Sequence, residues 1–176
     1  VLQSLSKTVH LSLGIALLFL LDEYQQLIHD GLERRELPTF GLEQALNHSF
    51  DVPTIKHLFV YGTLMSGQDR FNQLDPFVHS SIQGWTAGQL HHLGSFPGMK
   101  LGDGIVHGEL IEMRHAEQCL ERTDGIEGFR SFGQQDNFYD RTIVQVQTEQ
   151  GRVWAWTYLY SHDVDADSII EDGRWN

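Results

Sequence analysis

The chain has 176 residues, enough for one ordinary domain or a small domain with an appendage, and is 40% hydrophobic and 20% charged. That is a globular balance, not a disordered one. Its 24 acidic residues against 12 basic give a formal charge of −12, a field that repels nucleic-acid phosphates and anionic lipid surfaces alike.

In chain order, the first feature is the apolar run Leu11 to Leu21 (LSLGIALLFLL). It is too short for a bilayer, which needs about 20 residues, and no small-x-small cleavage site follows it. A packed helix is expected here, with no integral membrane span. The chain opens on Val1, so a preceding segment is allowed for. Leu17, Leu20, Leu21, Tyr24, Leu27, Ile28 and Leu32 recur at helical steps, and Gly31 and Pro38 supply the stop. A second short helix is expected over residues 42–47, then a linker through Asn47-His48-Ser49 to Pro53. Residues 1–53 therefore read as an N-terminal helical extension carrying no chemistry. Its apolar stripe needs cover from the main domain, a second copy in a homo-oligomer, or a partner.

After Pro53 the texture changes. Ile55 to Tyr61 is a β-rich run stopped by Gly62. Strands are expected over 85–93 and 105–113, with turns at 94–98 and at Gly102-Asp103-Gly104. Residues 115–124 read as a helix with Ala116, Cys119 and Leu120 inward. The runs 139–148 and 153–160 read as a hairpin turning at Glu149-Gln150-Gly151. The order β, β, β, α, β, β predicts a mixed α+β domain over 54–176, its sheet mainly antiparallel and able to close as a small barrel.

Cys119 is the one cysteine. It excludes an internal disulfide and a multi-cysteine metal site, suits a cytoplasmic location, and on an apolar helix face simply packs. Ten histidines include no H-E-x-x-H spacing, so neither a metal nor another cofactor is expected.

Three features point to chemistry. The strand ending in Tyr61-Gly62-Thr63-Leu64 exposes backbone N–H groups at its tip, a cradle for a carboxylate or an oxyanion. Glu127, between Ile126 and Gly128 and followed by Phe129, is a carboxylate in apolar company, whose pKa rises toward useful general-base values. Asp124 reads as a capping or turn residue. Tyr139 and Arg141 enter the next strand with polar ends that can reach a site, while Trp154, Trp156, Tyr158 and Tyr160 alternate on one face of the last strand as an aromatic layer.

With these residues in view, the chain resembles the γ-glutamylcyclotransferase superfamily, in its γ-glutamylamine cyclotransferase-like branch. The resemblance runs in order through Phe59-Val60-Tyr61-Gly62-Thr63-Leu64, Leu93-Gly94-Ser95-Phe96-Pro97-Gly98, Val106-His107-Gly108-Glu109-Leu110, Asp124-Gly125-Ile126-Glu127-Gly128-Phe129, Tyr139-Asp140-Arg141 and Val153-Trp154-Ala155-Trp156-Thr157-Tyr158. It implies a compact mixed α/β fold with a small barrel. The γ-glutamyl head would sit on Tyr61, Gly62, Thr63 and Leu64, with Glu127 as the catalytic carboxylate. The family's usual Leu-Asp is Thr123-Asp124 here, and the segment between Glu127 and Tyr139 is longer than usual. The implied activity converts a γ-glutamyl amine or γ-glutamyl amino acid, a small molecule, to 5-oxoproline and a free amine. The alternatives are a non-catalytic carboxylate- or partner-binding module on the same fold, and a hydrolase using water.

Overall fold

A computed structural model describes residues 55–176. The helical extension expected over 1–53 lies outside the described residues.

Five strands close into a barrel in the order β1-β3-β2-β4-β5. They are β1 (His57–Val60), β2 (Val78–His92), β3 (Pro97–Met113), β4 (Tyr139–Thr148) and β5 (Gly151–Tyr160), and α1 (Ala116–Glu127) stands between β3 and β4. All pairings are antiparallel except β1 with β5, which meet in parallel at Leu58 and Trp156. That short seam is reinforced by side chains. Thr157 Oγ1 donates to the Phe59 carbonyl at 3.0 Å, and the Tyr61 hydroxyl donates to the Tyr158 carbonyl at 2.6 Å.

The barrel interior follows from strand alternation, since every second side chain points the same way. Phe59, Leu90, Met99, Val106, Leu110, Val146 and Ala155 form the buried core, and Ile170 and Trp175 of the C-terminal segment pack against it. The backbone ties that segment to the strands: Ile170 N–H donates to the Leu90 carbonyl at 2.8 Å, and His107 N–H to the Gly173 carbonyl at 2.9 Å. Trp156 and Tyr158 alternate with Ala155 on β5, so the expected aromatic row is on the face opposite that core residue.

Two sequence expectations need correction. Gly102-Asp103-Gly104 does not end a strand. The β2–β3 register passes from Ala87↔Ile105 to Gln89↔Lys100, so residues 101–104 oppose Gly88 alone, a bulge inside one long ribbon. The glycines are needed for close approach: a Cβ on Gly104 would come 2.7 Å from the Gly88 carbonyl oxygen. The helix also runs further than residue 124. Gly128, left-handed at φ 66°, ends it, with the Gly128 and Phe129 N–H groups both turned back to the Asp124 carbonyl. Glu127 thus occupies the last position of α1, not a loop beyond it.

Cys119 and Thr123 are the fully buried face of α1. Burial pushes the Cys119 thiol up to about 12, so it stays protonated and packs.

Candidate active site

The site begins where β1 stops. Gly62 follows Tyr61 because Pro97 leaves no room for a side chain: a Cβ there would sit 2.5 Å from Pro97 Cγ. The chain then turns, with Met65 N–H donating to the Gly62 carbonyl and Arg70 N–H to the Thr63 carbonyl, both at 2.9 Å. The amides of Gly62, Thr63 and Leu64 donate to no other described residue. Glu109 on β3 anchors the far side of this loop. Its Oε2 accepts from Ser66 N–H at 3.0 Å, Ser66 Oγ at 2.8 Å and Ser81 Oγ at 3.2 Å.

Beside the loop lies a cleft of about 150 Å³, lined by residues 59–64, by Arg70, by Phe96 and Pro97, and by Ile126, Glu127, Phe138, Tyr139 and Tyr158. The positions singled out from sequence as Tyr61, Gly62, Thr63, Leu64, Glu127 and Tyr139 therefore share one cavity, although β1, α1 and β4 each contribute part of it.

Arg141 does not join them. Its Nη1 donates to Asp124 Oδ2 at 2.8 Å, and its guanidinium lies 4.9, 5.3 and 5.0 Å from the rings of Phe129, Phe132 and Trp156. The side chain is 8% exposed. Asp124 Oδ1 in turn accepts from the Tyr158 hydroxyl at 2.7 Å, which also shares a hydrogen bond with Thr123 Oγ1 at 2.7 Å. Arg141 and Asp124 thus belong to a polar network that fixes the end of α1 against β4 and β5. The cue in the sequence was a polar-ended residue near the motif. Tyr139 and Arg141 are two apart on β4 and share a face by strand pleat, but Tyr139 lines the cleft while Arg141 is drawn to Asp124 and the rings of Phe129, Phe132 and Trp156.

Electrostatics separate the cleft's ionisable groups. Burial pushes the Glu127 carboxyl from its usual 4.5 up to about 7, with the Arg70 guanidinium pulling the other way. Tyr61 and Tyr139 are raised, first by burial, and a charge on Glu127 raises both further. Their protons are also committed, Tyr61 to the Tyr158 carbonyl and Tyr139 to the Pro97 carbonyl at 2.7 Å. Tyr158 is likewise raised, by burial and by the Asp124 carboxylate. Of these groups, Glu127 is the one poised to exchange a proton near neutrality. Among the described residues no three His, Cys, Asp or Glu side chains are grouped to hold a metal ion.

Residues 58–176 match the protein family described as gamma-glutamyl cyclotransferase, AIG2-like. The chain belongs to this family. Among curated members, it is 34% identical over 119 residues to the gamma-L-glutamyl-butirosin B gamma-glutamyl cyclotransferase of Niallia circulans, covering 67% of this chain and 75% of that one. It is 33% identical over 121 residues to the gamma-glutamylcyclotransferase family protein YtfP of Escherichia coli K12, covering 67% and 94%. Among solved structures, YkqA from Bacillus subtilis superposes with a TM-score of 0.53 at 27% identity, over 68% of this chain and 39% of that longer one. An activity of γ-glutamylcyclotransferase type goes with this membership. The family match begins at Leu58, inside β1, so it covers the whole cleft just described.

Arg70, Glu109 and Phe138 were not singled out by the sequence. Glu109 was inside a family motif, but nothing local to it announces that Ser66, 43 positions away, needs an acceptor. Arg70 follows the motif on an irregular stretch, where no periodicity shows which way a side chain points.

Proposed function

We propose that this cyclotransferase-family chain converts a γ-glutamyl amine or γ-glutamyl amino acid to 5-oxoproline and a free amine, with Glu127 carrying the protons. The supporting observation is one carboxyl, raised to about 7, in a cleft whose opposite wall is a strand tip with uncommitted amides.

The reaction asks for few parts. The substrate's own α-amine attacks its own γ-carbonyl, so the protein supplies no nucleophile. Intramolecular delivery in a well-oriented pair is equivalent to effective concentrations on the order of 10⁵–10⁸ M. Ionised Glu127 takes a proton from the α-ammonium. The freed nitrogen adds to the γ-carbon, and the oxyanion that forms accepts hydrogen bonds from loop amides. Glu127 passes its proton to the leaving nitrogen, takes the second from the ring nitrogen, and the C–N bond to the amine breaks. Two protons leave the α-nitrogen and two reach the departing amine, so Glu127 ends ionised as it began. Such transfer contributes about 10²–10⁴ in rate.

The name of the Niallia circulans relative gives a γ-glutamyl group on butirosin B as its substrate. A γ-glutamyl amide is therefore the first class to try. The deciding experiment is mass-spectrometric product identification from a panel of γ-glutamyl amines and amino acids, with wild type and Glu127→Gln. Wild type should release 5-oxoproline and the folded variant none. Turnover by a folded Glu127→Gln protein ends the assignment, free glutamate would reveal a hydrolase, and binding without product a non-catalytic module.

A further inference from the structure

The cleft carries two opposite charges, and the chemistry above uses only one. Arg70 lines the same cavity as Glu127, close enough for its charge to be felt by both Glu127 and Tyr139. Its side chain makes no salt bridge with any described residue, although the chain carries 24 acidic residues. Its backbone is held by the turn that presents the loop amides: Arg70 N–H donates to the Thr63 carbonyl at 2.9 Å, and its own carbonyl accepts from Gln73 N–H at 3.0 Å. A cation thus lines the cleft with no ion-pair partner among the described residues.

We propose that Arg70 binds the α-carboxylate of the γ-glutamyl head, which turns the α-nitrogen toward Glu127 and leaves the Gly62–Leu64 amides to the γ-carbonyl oxygen. This rests on the cyclisation reading. The α-ammonium and α-carboxylate share one carbon, so whatever places the ammonium at Glu127 places the carboxylate a few ångströms away. A zwitterionic head is matched by an anion and a cation in one cavity, and Glu127 and Arg70 both line this one. A guanidinium suits the carboxylate end because its planar fork can donate two parallel hydrogen bonds. With the carboxylate held there, the strand tip is not asked to bind two anionic groups at once.

The test compares wild type, Arg70→Gln and Arg70→Lys on a γ-glutamyl amide and on the matching 4-aminobutanoyl amide. The second substrate lacks only the α-carboxylate and cyclises to 2-pyrrolidinone. Rates are taken at about pH 9, well above the carboxyl's value of about 7. Wild type should prefer the γ-glutamyl amide by about 10- to 100-fold in kcat/KM, the size expected for a charged hydrogen bond. Arg70→Gln should lose most of that preference through a raised KM for the γ-glutamyl amide alone, and Arg70→Lys should recover part of it. Equal losses on both amides would overturn the assignment, because Arg70 would then act through Glu127 or the fold. An undiminished preference in Arg70→Gln would overturn it as well while leaving cyclisation standing, since lactam release by wild type is read independently. Failure of wild type to release any lactam from the γ-glutamyl amide removes the cyclisation reading and this assignment together.

Discussion

Arg141 Nη1 donates to Asp124 Oδ2 at 2.8 Å, one helical turn before Glu127 on α1. The pair sits outside the cleft but sets where the cleft's carboxylate stands, because the last turn of α1 carries both acids. Arg141 is packed among three aromatic rings, so replacing it by an apolar side chain keeps volume while removing this cation from a partly buried Asp124 that still accepts from the Tyr158 hydroxyl. Arg141→Met is expected to cost about 2–4 kcal/mol in urea denaturation. That lies somewhat below the roughly 3–5 kcal/mol of a fully buried broken ion pair, since the Asp124 side chain is 22% exposed. A cost under about 0.5 kcal/mol would mean the pair does not anchor the helix.

With Glu127 as the proton carrier, stability and activity should respond to pH in opposite senses. Its folded pKa of about 7 lies above the usual 4.5, so the native chain holds a proton that the unfolded chain releases. Stability from this group is fully present below about pH 4.5, falls as pH rises, and is lost above about pH 7. Glu127→Gln removes that dependence. Its melting temperature should exceed that of wild type by a few degrees at about pH 8.5 and match it near pH 4. No difference between the two pH values would place the carboxyl in ordinary solvent.

The same titration should appear in catalysis with the reverse sign. Below about pH 7, kcat/KM should rise about tenfold per pH unit as Glu127 ionises, then level off. Arg70→Gln should move this limb to higher pH, because the guanidinium holds the carboxyl below where burial alone would put it. A limb that stays in place when Arg70 is neutralised would assign it to another group.

Glu109 supports the 62–67 loop from behind. In Glu109→Ala, Ser66 and Ser81 lose their acceptor, but both are exposed and can turn to water. A stability cost of about 1–2 kcal/mol is expected, with a several-fold rise in KM as the 62–67 turn loosens. Calorimetric binding of 5-oxoproline by the variant gives the affinity directly, and an unchanged affinity would dismiss Glu109 as a support.

Gly62 is a steric requirement. In Gly62→Ala the new methyl meets Pro97 Cγ at 2.5 Å and Cδ at 2.9 Å, and Pro97 also holds the Tyr139 hydroxyl through its carbonyl. Overpacking of this kind costs about 1–3 kcal/mol. Displacing the cleft wall should lower kcat/KM at least about tenfold, measured by lactam release. Gly67→Ala, where a Cβ meets nothing within 4 Å but φ is 82°, separates strain at the turn from crowding at the cleft.

Much was legible in the sequence. Six short motifs in order identified the family, and local chemistry gave the β4–β5 hairpin, since Gly151 at the turn and alternating apolar residues need only their neighbours. Glu127 and the Tyr61–Leu64 tip stood out as candidates on local grounds, the first as a carboxylate among apolar neighbours and the second as a strand tip opened by Gly62. The sequence by itself thus determined the family, the β4–β5 hairpin and a candidate carboxylate. Tertiary structure alone decided that Arg141 turns to Asp124 while Arg70 enters the cleft, that Gly102–Gly104 forms a bulge and not a turn, and that Ser66 leans on Glu109. Each of these depends on which strands become neighbours when the barrel closes, and a polar side chain takes whichever partner closure brings within about 3 Å.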